Sequence, residues 1–506
     1  MSKPRVRVAA GQDLGKAISQ AVRSRASYEG GSSARRMNGK GGMMLGPNMP
    51  LARSLKVLQA RSRHVTRNNS YAQGAREAYV TNMVGNGIRP DWNNPDIQKL
   101  WDRWVKQCDA EGVDSFYGLQ SLAASSQFEA GEVLTRLRFR RPEDGLAVPL
   151  QLQLIESDHL DPGYSKTLDN GGLIKMGVEF NAIGKRTAYH LWKYHPHETL
   201  TTQINSRVPV PAASILHLFR RTRPGQLRGV PELTSVIVRL YEIDEMQDAL
   251  LARQKLAQLF GAFVKRKSVE PVEDAPHFGT QVHMPGELDT LDEFTPGAIH
   301  YLEDDEEVTF SDPPDIGGSY SAWLRGELLA VARGAGVTYE QMTGDLKGVN
   351  YSSIRAGLLE FRRRIEALQA HLMVQQWCQP VAATWLDTAV ISRAITLEDY
   401  WNKRDEYLAI NWIAPKWAWV DPLKEVTADV LEVRSGFKPR SEAAAERGWD
   451  LRSLDDQIAT CNDSADEHGL VLDSDPRRTT RAGLSPAKNL IPGEDDDESE
   501  PATEED

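Results

Sequence analysis

Ile354, Leu358, Phe361, Ile365, Leu368 and Leu372 recur at alternating spacings of four and three residues, which lays one continuous apolar seam along a helix. The pattern starts after Tyr351-Ser352-Ser353, where a serine can cap exposed amides, and is expected to stop at Pro380, which cannot continue an α-helix. From Ser353 to Gln379 such a rod is about 40 Å long at ~1.5 Å per residue. Arg355, Arg362, Arg363, Arg364 and Glu366 lie off the seam, so one face needs a neighbour and the other is charged.

A shorter stripe of Tyr320, Trp323, Leu324, Glu327, Leu328 and Val331 precedes it and ends near Gly334 and Gly336. The connector from Val337 to Asn350 lacks apolar periodicity and holds two glycines, an aspartate and an asparagine, so it is expected to be an exposed, mobile loop between two rods. Upstream, Leu233, Val236, Leu240, Ile243 and Leu250 form a second seam on a rod that also carries Glu242, Asp244, Glu245 and Asp248. Between the rods, short alternating runs at 261–265, 280–284 and 308–310 are broken by Pro271, Pro276, Pro285 and Pro296. The chain is thus expected to run out along one helix, form a small β-containing knob, and return along another.

The N-terminal part reads as helices over 51–84, broken near Asn68-Asn69, then helices carrying Ile97, Leu100, Trp101 and Trp104 and spanning 119–130. Residues 132–220 alternate as strands. His190, His195 and His197 suggest a metal site, but no carboxylate cluster lies near them in sequence, and His217 reads as a buried strand residue. Arg220, Arg221, Arg223 and Arg228 can meet a phosphate backbone or an acidic protein surface, and spacing alone does not choose. Trp385, Trp401, Trp412, Trp417 and Trp419 gather before helices expected at 424–433, 441–447 and 451–468.

Several classes fall away. Residues 34–41 approach a phosphate-binding P-loop but have Ala34 for its first glycine and Gly41 where a magnesium-binding hydroxyl belongs. Cys108, Cys378 and Cys461 form no CxxC and are expected to be buried thiols, so neither a disulfide framework nor a zinc site is indicated. No catalytic, metal or cofactor motif is found, and no apolar run nears the roughly 20 residues of a membrane span. The net charge of −11 conceals opposite ends: residues 1–67 hold 14 Lys or Arg against two acids, and the last 13 residues hold nine acids and no base. Both ends read as disordered tails.

Three stretches carry a resemblance: GVTYEQMTGDLKGVNYSSIRAGLLEFRRRIE from Gly336, RRTRPGQLRGVPEL from Arg220, and RNNSYAQGAREAYVTNMVGNGIRP from Arg67. Together, and in this order, they resemble the portal proteins of tailed bacteriophages of the lambda type, over roughly residues 50 to 470. The resemblance implies an α+β, mainly α, ring-forming subunit. Its parts would be a basic flexible arm (1–50), a wing (51–230), a stem helix (231–258), a clip (259–318), a second stem helix (319–336), a tunnel loop (337–352), a long tunnel helix (353–379), wing again (380–423), a helical crown (424–470) and an acidic tail (471–506).

It implies a non-enzymatic homododecamer at one capsid vertex of the virion, assembled in the host cytoplasm, through which double-stranded DNA is packaged and ejected. Implied partners are the terminase large subunit, the head-tail adaptor, and the major capsid and scaffold proteins. Lys347 and Asn350 are the residues expected to reach DNA from the loop, with Arg325 and Arg333 beside them on the preceding helix. Closed-ring association suits the seams, since each buried large apolar side chain contributes about 1.5 to 3 kcal/mol before entropy costs. A nucleic-acid-acting enzyme and a ring scaffold of the tail without DNA contact are the alternatives.

Overall fold

The computed structural model describes residues 45–198, 205–258, 262–266, 306–310, 319–348, 351–415, 422–447 and 451–470, together with Trp449 and Leu472. The expected strand at 280–284, both terminal tails and Trp417 and Trp419 lie outside these residues.

The body begins with helices α1 (Asn48–Asn68) and α2 (Ser70–Met83), separated where Asn69 turns extended and its side chain accepts from Ala72 N at 3.0 Å. Strand β1 (Arg89–Asp91) leads to α3 (Pro95–Trp104), capped by Asn94, and α4 (Phe116–Ala130), capped by Ser115. Gly131, at φ +83°, ends α4 in the left-handed region, and a Cβ there would strike the backbone of Val230 and Pro231. Trp101 is fully buried at the centre of an aromatic cluster, 4.9 Å from Trp385 and 5.0 Å from Phe116, which stacks on Trp377 at 5.0 Å. Two distant parts of the chain are joined there.

Strands β2 (Glu132–Phe139) and β3 (Leu150–Glu156) pair antiparallel, and β9 (Ile215–Phe219) pairs along the other edge of β2. A five-stranded antiparallel sheet lies between them in sequence, in the order β4 (Lys166–Thr167), β5 (Leu173–Lys175), β6 (Val178–Phe180), β7 (Arg186–Trp192) and β8 (Arg207–Pro211). Leu134, Leu160, Val178, Tyr189, Leu191, Val210 and Ile215 form its core.

Helix α5 (Ile237–Gln258) and helix α6 (Ser319–Ala335) are the out-and-back rods, and the antiparallel pair β10 (Ala262–Arg266) and β11 (Glu306–Phe310) lies between them in sequence. Burial divides both rods. On α5, Leu240 and Ile243 are buried, whereas Glu245, Met246, Asp248 and 251–255 are exposed. On α6, Leu328 and Val331 are buried, whereas Trp323 is 42% exposed. Each rod is therefore anchored in the body at one end and bare at the other.

The connector is not a loop throughout: α7 (Tyr339–Thr343) forms within it, and Tyr339 and Met342 are buried. Helix α8 (Tyr351–Leu368) carries the long seam, of which Phe361, Ile365, Leu368 and Leu372 are buried within this one chain, while Ile354 and Leu358 are part-exposed. The neighbour that the seam needs is thus supplied within the chain from Phe361 onward, and only its first two turns stay part-exposed. Pro380 does not end the rod either. A π-helical stretch, Gln369–Cys378, follows α8, with Gln379 N donating to Val374 O five residues back, and α9 (Gln379–Ile391) accepts Pro380 in its first turn. Pro380 has no N–H to donate in either repeat and stands at the change of register, in the first turn of α9, where its fixed φ is tolerated.

The short helix α10 (Arg404–Tyr407) precedes β12 (Asn411–Ile413), which pairs with β1, and helices α11 (Pro422–Arg434), α12 (Arg440–Ala445) and α13 (Leu451–Glu467) follow. Trp401 is 61% exposed rather than gathered with the other tryptophans. Cys108 and Cys378 are buried, and burial pushes both thiols well up; Cys461, expected to be buried, is exposed on α13.

Candidate nucleic-acid interface

The segment between α6 and α8 is built from a capping box. Thr338 accepts from Gln341 N at 3.2 Å, and the Gln341 side chain accepts from Thr338 N at 3.2 Å. That reciprocal pair starts α7, and Gly344, at φ +70°, ends it. The T-x-x-Q spacing was present in the sequence and is the signal that the connector has structure.

Beyond α7 the chain is tied by Asp345. Its carboxylate accepts from Tyr339 Oη at 3.1 Å and from Lys347 N at 3.0 Å, and Asp345 N donates to Thr343 Oγ1 at 3.2 Å. The Lys347 amide and the Tyr339 hydroxyl hold the Asp345 carboxyl below its ordinary range. Burial, then Asp345, pushes the Tyr339 phenol up.

The sequence-predicted site residues are placed unequally. Lys347 is exposed, its ammonium in no hydrogen bond or ion pair with a described residue though its charge acts on Asp345, next to Leu346, which is 64% exposed. Arg325 instead lies over the Tyr339 ring, 5.0 Å from its centroid, with Nη1 3.9 Å from Asp345. Arg333 is exposed one face away on α6. Asn350 lies outside the described residues. Lys347 and Arg325 are thus both organised by Asp345, one through its backbone and one through its charge.

Behind this segment a buried junction sets its position. Arg364 of α8 donates to the carbonyls of Gly336 and Ala335 and approaches Glu232 at 3.3 Å. Glu232 also pairs with Arg220 at 2.8 Å and accepts from Gln127 Nε2 at 3.1 Å; Gln127 accepts from Tyr79 Oη at 2.7 Å. Gly336 is at φ +76°, and a side chain there would overlap the Arg364 guanidinium.

The four arginines of 220–228 separate. Arg228 is wholly buried, bonded to Glu132 and to the carbonyls of Leu160, Met176 and Ser157. Arg220 meets Glu232, Arg223 donates to Leu45 O at 3.3 Å, and Arg221 is exposed. Partners within the chain engage three of the four.

The histidines do meet carboxylates, contrary to expectation: pairing of β6 with β7 brings His190 to Glu179, and the other two meet where the chain after β3 approaches β7 at the isolated Leu160–Leu191 bridge. His190 lies 2.8 Å from Glu179, His195 3.1 Å from Glu156, and His197 3.8 Å from Asp158. Ligand atoms of Glu156, Asp158 and His195 lie within 4.8 Å of one another. The Arg63 guanidinium already supplies the cation, 2.5 Å from Asp158 and 3.7 Å from Glu156. His217 is buried against Glu132 at 2.9 Å, and burial keeps its imidazole easier to deprotonate than usual.

Comparison with known proteins is consistent along most of the chain. The sequence model of a family described as phage portal protein, lambda family, matches residues 33–369. A probable portal protein of Halomonas phage phiHAP-1 is 24% identical over 432 residues, covering 80% of this chain and 79% of its own length. Portal protein B of Escherichia phage lambda is 21% identical over 483 residues, covering 86% and 89%. A chain from the virion of a native gene transfer agent particle superposes with a TM-score of 0.42 at 15% identity, over 78% of this chain and 93% of that one.

Proposed function

This chain belongs to the lambda family of phage portal proteins, and from that premise we propose that it closes with copies of itself into a ring of twelve at one capsid vertex of the virion. The DNA conduit role follows from the family. The observation that supports self-association is the bare half of each rod: Met246, Leu251 and Trp323 are 41%, 49% and 42% exposed, and Ile354 and Leu358 continue the unfilled seam. Apolar surface of this kind on neighbouring rods is buried by a head-to-tail contact that closes.

In this reading α5 and α6, within 231–258 and 319–336, are the stem and 259–318 the clip. Residues 337–352 face the channel, 353–379 connect it to the wing, 51–230 and 380–423 are the wing, and 424–470 the crown. The terminase large subunit and later the head-tail adaptor dock on the ring, and the major capsid and scaffold proteins surround it during assembly in the host cytoplasm. The chain's own role is structural rather than enzymatic.

A conduit must touch DNA without gripping it, because every neutralised phosphate adds salt-dependent affinity. Glu242, Glu245 and Asp248, exposed on α5, suit a wall along which a duplex slides. Lys347 and Asn350 reach the duplex, and Arg325 and Arg333 stand behind them. Negative-stain electron microscopy with mass measurement tests the ring: twelvefold particles with an axial hole are expected, and compact monomers at high concentration would overturn it. Alanine at Lys347 and Asn350 tests the contact, with unchanged DNA retention and packaging as the overturning result.

A further inference from the structure

Helix α1 holds five Lys or Arg residues and no acid in 21 residues. Arg53, Lys56, Arg61, His64 and Arg67 are exposed and share one side of the helix, opposite the buried Leu51, Leu55, Gln59, Ser62 and Thr66. Lys56 reaches Asp161 at 2.9 Å and His64 stacks on Tyr241. Arg53, Arg61 and Arg67 make no side-chain hydrogen bond or ion pair with any described residue.

At ~1.5 Å per residue these three guanidiniums are spaced by about 12 and 9 Å along the rod. Spacings close to the Debye length, about 10 Å at 0.1 M salt, leave the repulsion between neighbouring cations only partly screened at low salt. The start of α1 adds to the same field. Asn48 is tied to Gly225 O at 2.9 Å and Leu227 N at 2.9 Å, which seats the helix beside the exposed Arg221 and Arg223.

The most acidic block of opposite character in the sequence is residues 494–506, with nine acids and no base, against five acids in the run 303–307. We propose that the exposed face of α1 is the docking site of this acidic segment, from the same copy or from a neighbouring copy in an assembly. Between Leu472 and Glu494 lie 21 residues, enough to extend about 70 Å. A tether of this kind gives an effective concentration on the order of millimolar, so the segment occupies the face without the translational cost that free duplex DNA would bear. Individual exposed pairs are weak, so the contact is multivalent, loose and salt-sensitive.

Disulfide trapping in the full chain tests it. Ala60 is exposed on the same face of α1, Cys461 is the one exposed thiol among the described residues, and Ile183 is 85% exposed on a distant turn. In a C461S background, A60C with A502C is expected to oxidise about tenfold faster than I183C with A502C. The excess should vanish in high salt, in R53E/R61E/R67E, and when the nine acids are replaced by Asn and Gln, a change that leaves the folded body untouched. Gel mobility without reductant tells one copy from two, and either supports the docking.

Equal rates for the two pairs would overturn it. So would trapping that persists in R53E/R61E/R67E and is lost on removing residues 1–44, which would give the tail to the basic arm. Absent trapping, together with binding of a short DNA duplex that the triple substitution abolishes, would make the face a nucleic-acid surface instead.

Discussion

Arg228 and Glu132 form a salt bridge from which water is excluded: the Arg228 side chain is wholly buried, Glu132 is 1% exposed, and Arg228 Nε donates to both carboxylate oxygens at 2.8 and 3.0 Å. Glu132 also accepts from Gly229 N at 2.7 Å, so the pair fixes the loop after β9 to the start of β2. Removing one partner strands a buried charge, so Arg228→Ala is expected to cost about 3–5 kcal/mol. Replacing both with apolar residues, as in E132M/R228M, should cost less than the sum of the single changes. Urea denaturation of the four proteins checks this, and additive losses would show that the two residues act separately.

The same pair sets an acid limit. Burial alone would raise the Glu132 carboxyl, but Arg228 and His217 bring it from its ordinary 4.5 down to about 2. A depressed folded-state value means that the contribution is complete above about 4.5 and is lost as the pH falls from there towards 2. Melting temperature followed between pH 5 and pH 2 should therefore fall more steeply for the natural chain than for E132M/R228M.

At the candidate interface, Asp345 organises Lys347 through the backbone rather than through its ammonium. Asp345→Ala is expected to speed amide exchange at Lys347 and to release Arg325 from its charge partner, with little change in the melting of the body. DNA retention should then weaken less than in Lys347→Ala, because the ammonium survives. Amide exchange and a packaged-DNA assay on the two variants separate positioning from contact.

The π-helical stretch makes a different prediction. Gln375 is exposed, so deleting it removes no core side chain, yet it changes the helical phase of all that follows. Trp377, whose Nε1 donates to Thr135 Oγ1 at 2.9 Å, and Trp385 would leave the aromatic cluster. The deletion is expected to abolish the tryptophan near-ultraviolet circular dichroism signal, whereas Pro380→Ala should leave it nearly intact.

How much the sequence disclosed depended on how local the cause was. The seam from Phe361 to Leu372, the break at Asn69 and the strand alternation near 133–139 arise from neighbours a few residues apart, so periodicity and caps reveal them. The π stretch is invisible in that way, because it inserts no unusual residue and only shifts the register between two helical seams. The carboxylates facing His195 and His197 were missed for a related reason: Glu156 and Asp158 are some 40 residues away and arrive where the two sheets meet at the isolated Leu160–Leu191 bridge. The Tyr339 and Asp345 tie was closer to hand, since the T-x-x-Q box announces a helix start, but two glycines and the lack of apolar periodicity point to a mobile loop.

The bare ends of the rods give the last prediction. Trp323 stacks on Tyr320 at 5.8 Å yet remains 42% exposed, and Leu251 on the companion rod is 49% exposed. In a single chain a charge at either position touches water and costs little, because neither side chain belongs to the core. In a closed ring the same charge would be desolvated at every repeat, and like charges would recur around the axis. W323E/L251E should therefore leave the melting temperature of the dissociated chain within a few degrees while shifting particles from rings to monomers. Mass measurement beside thermal unfolding decides it: rings that persist would place the contact between copies elsewhere, and a collapsed melting temperature would mean that the rods stabilise the body itself.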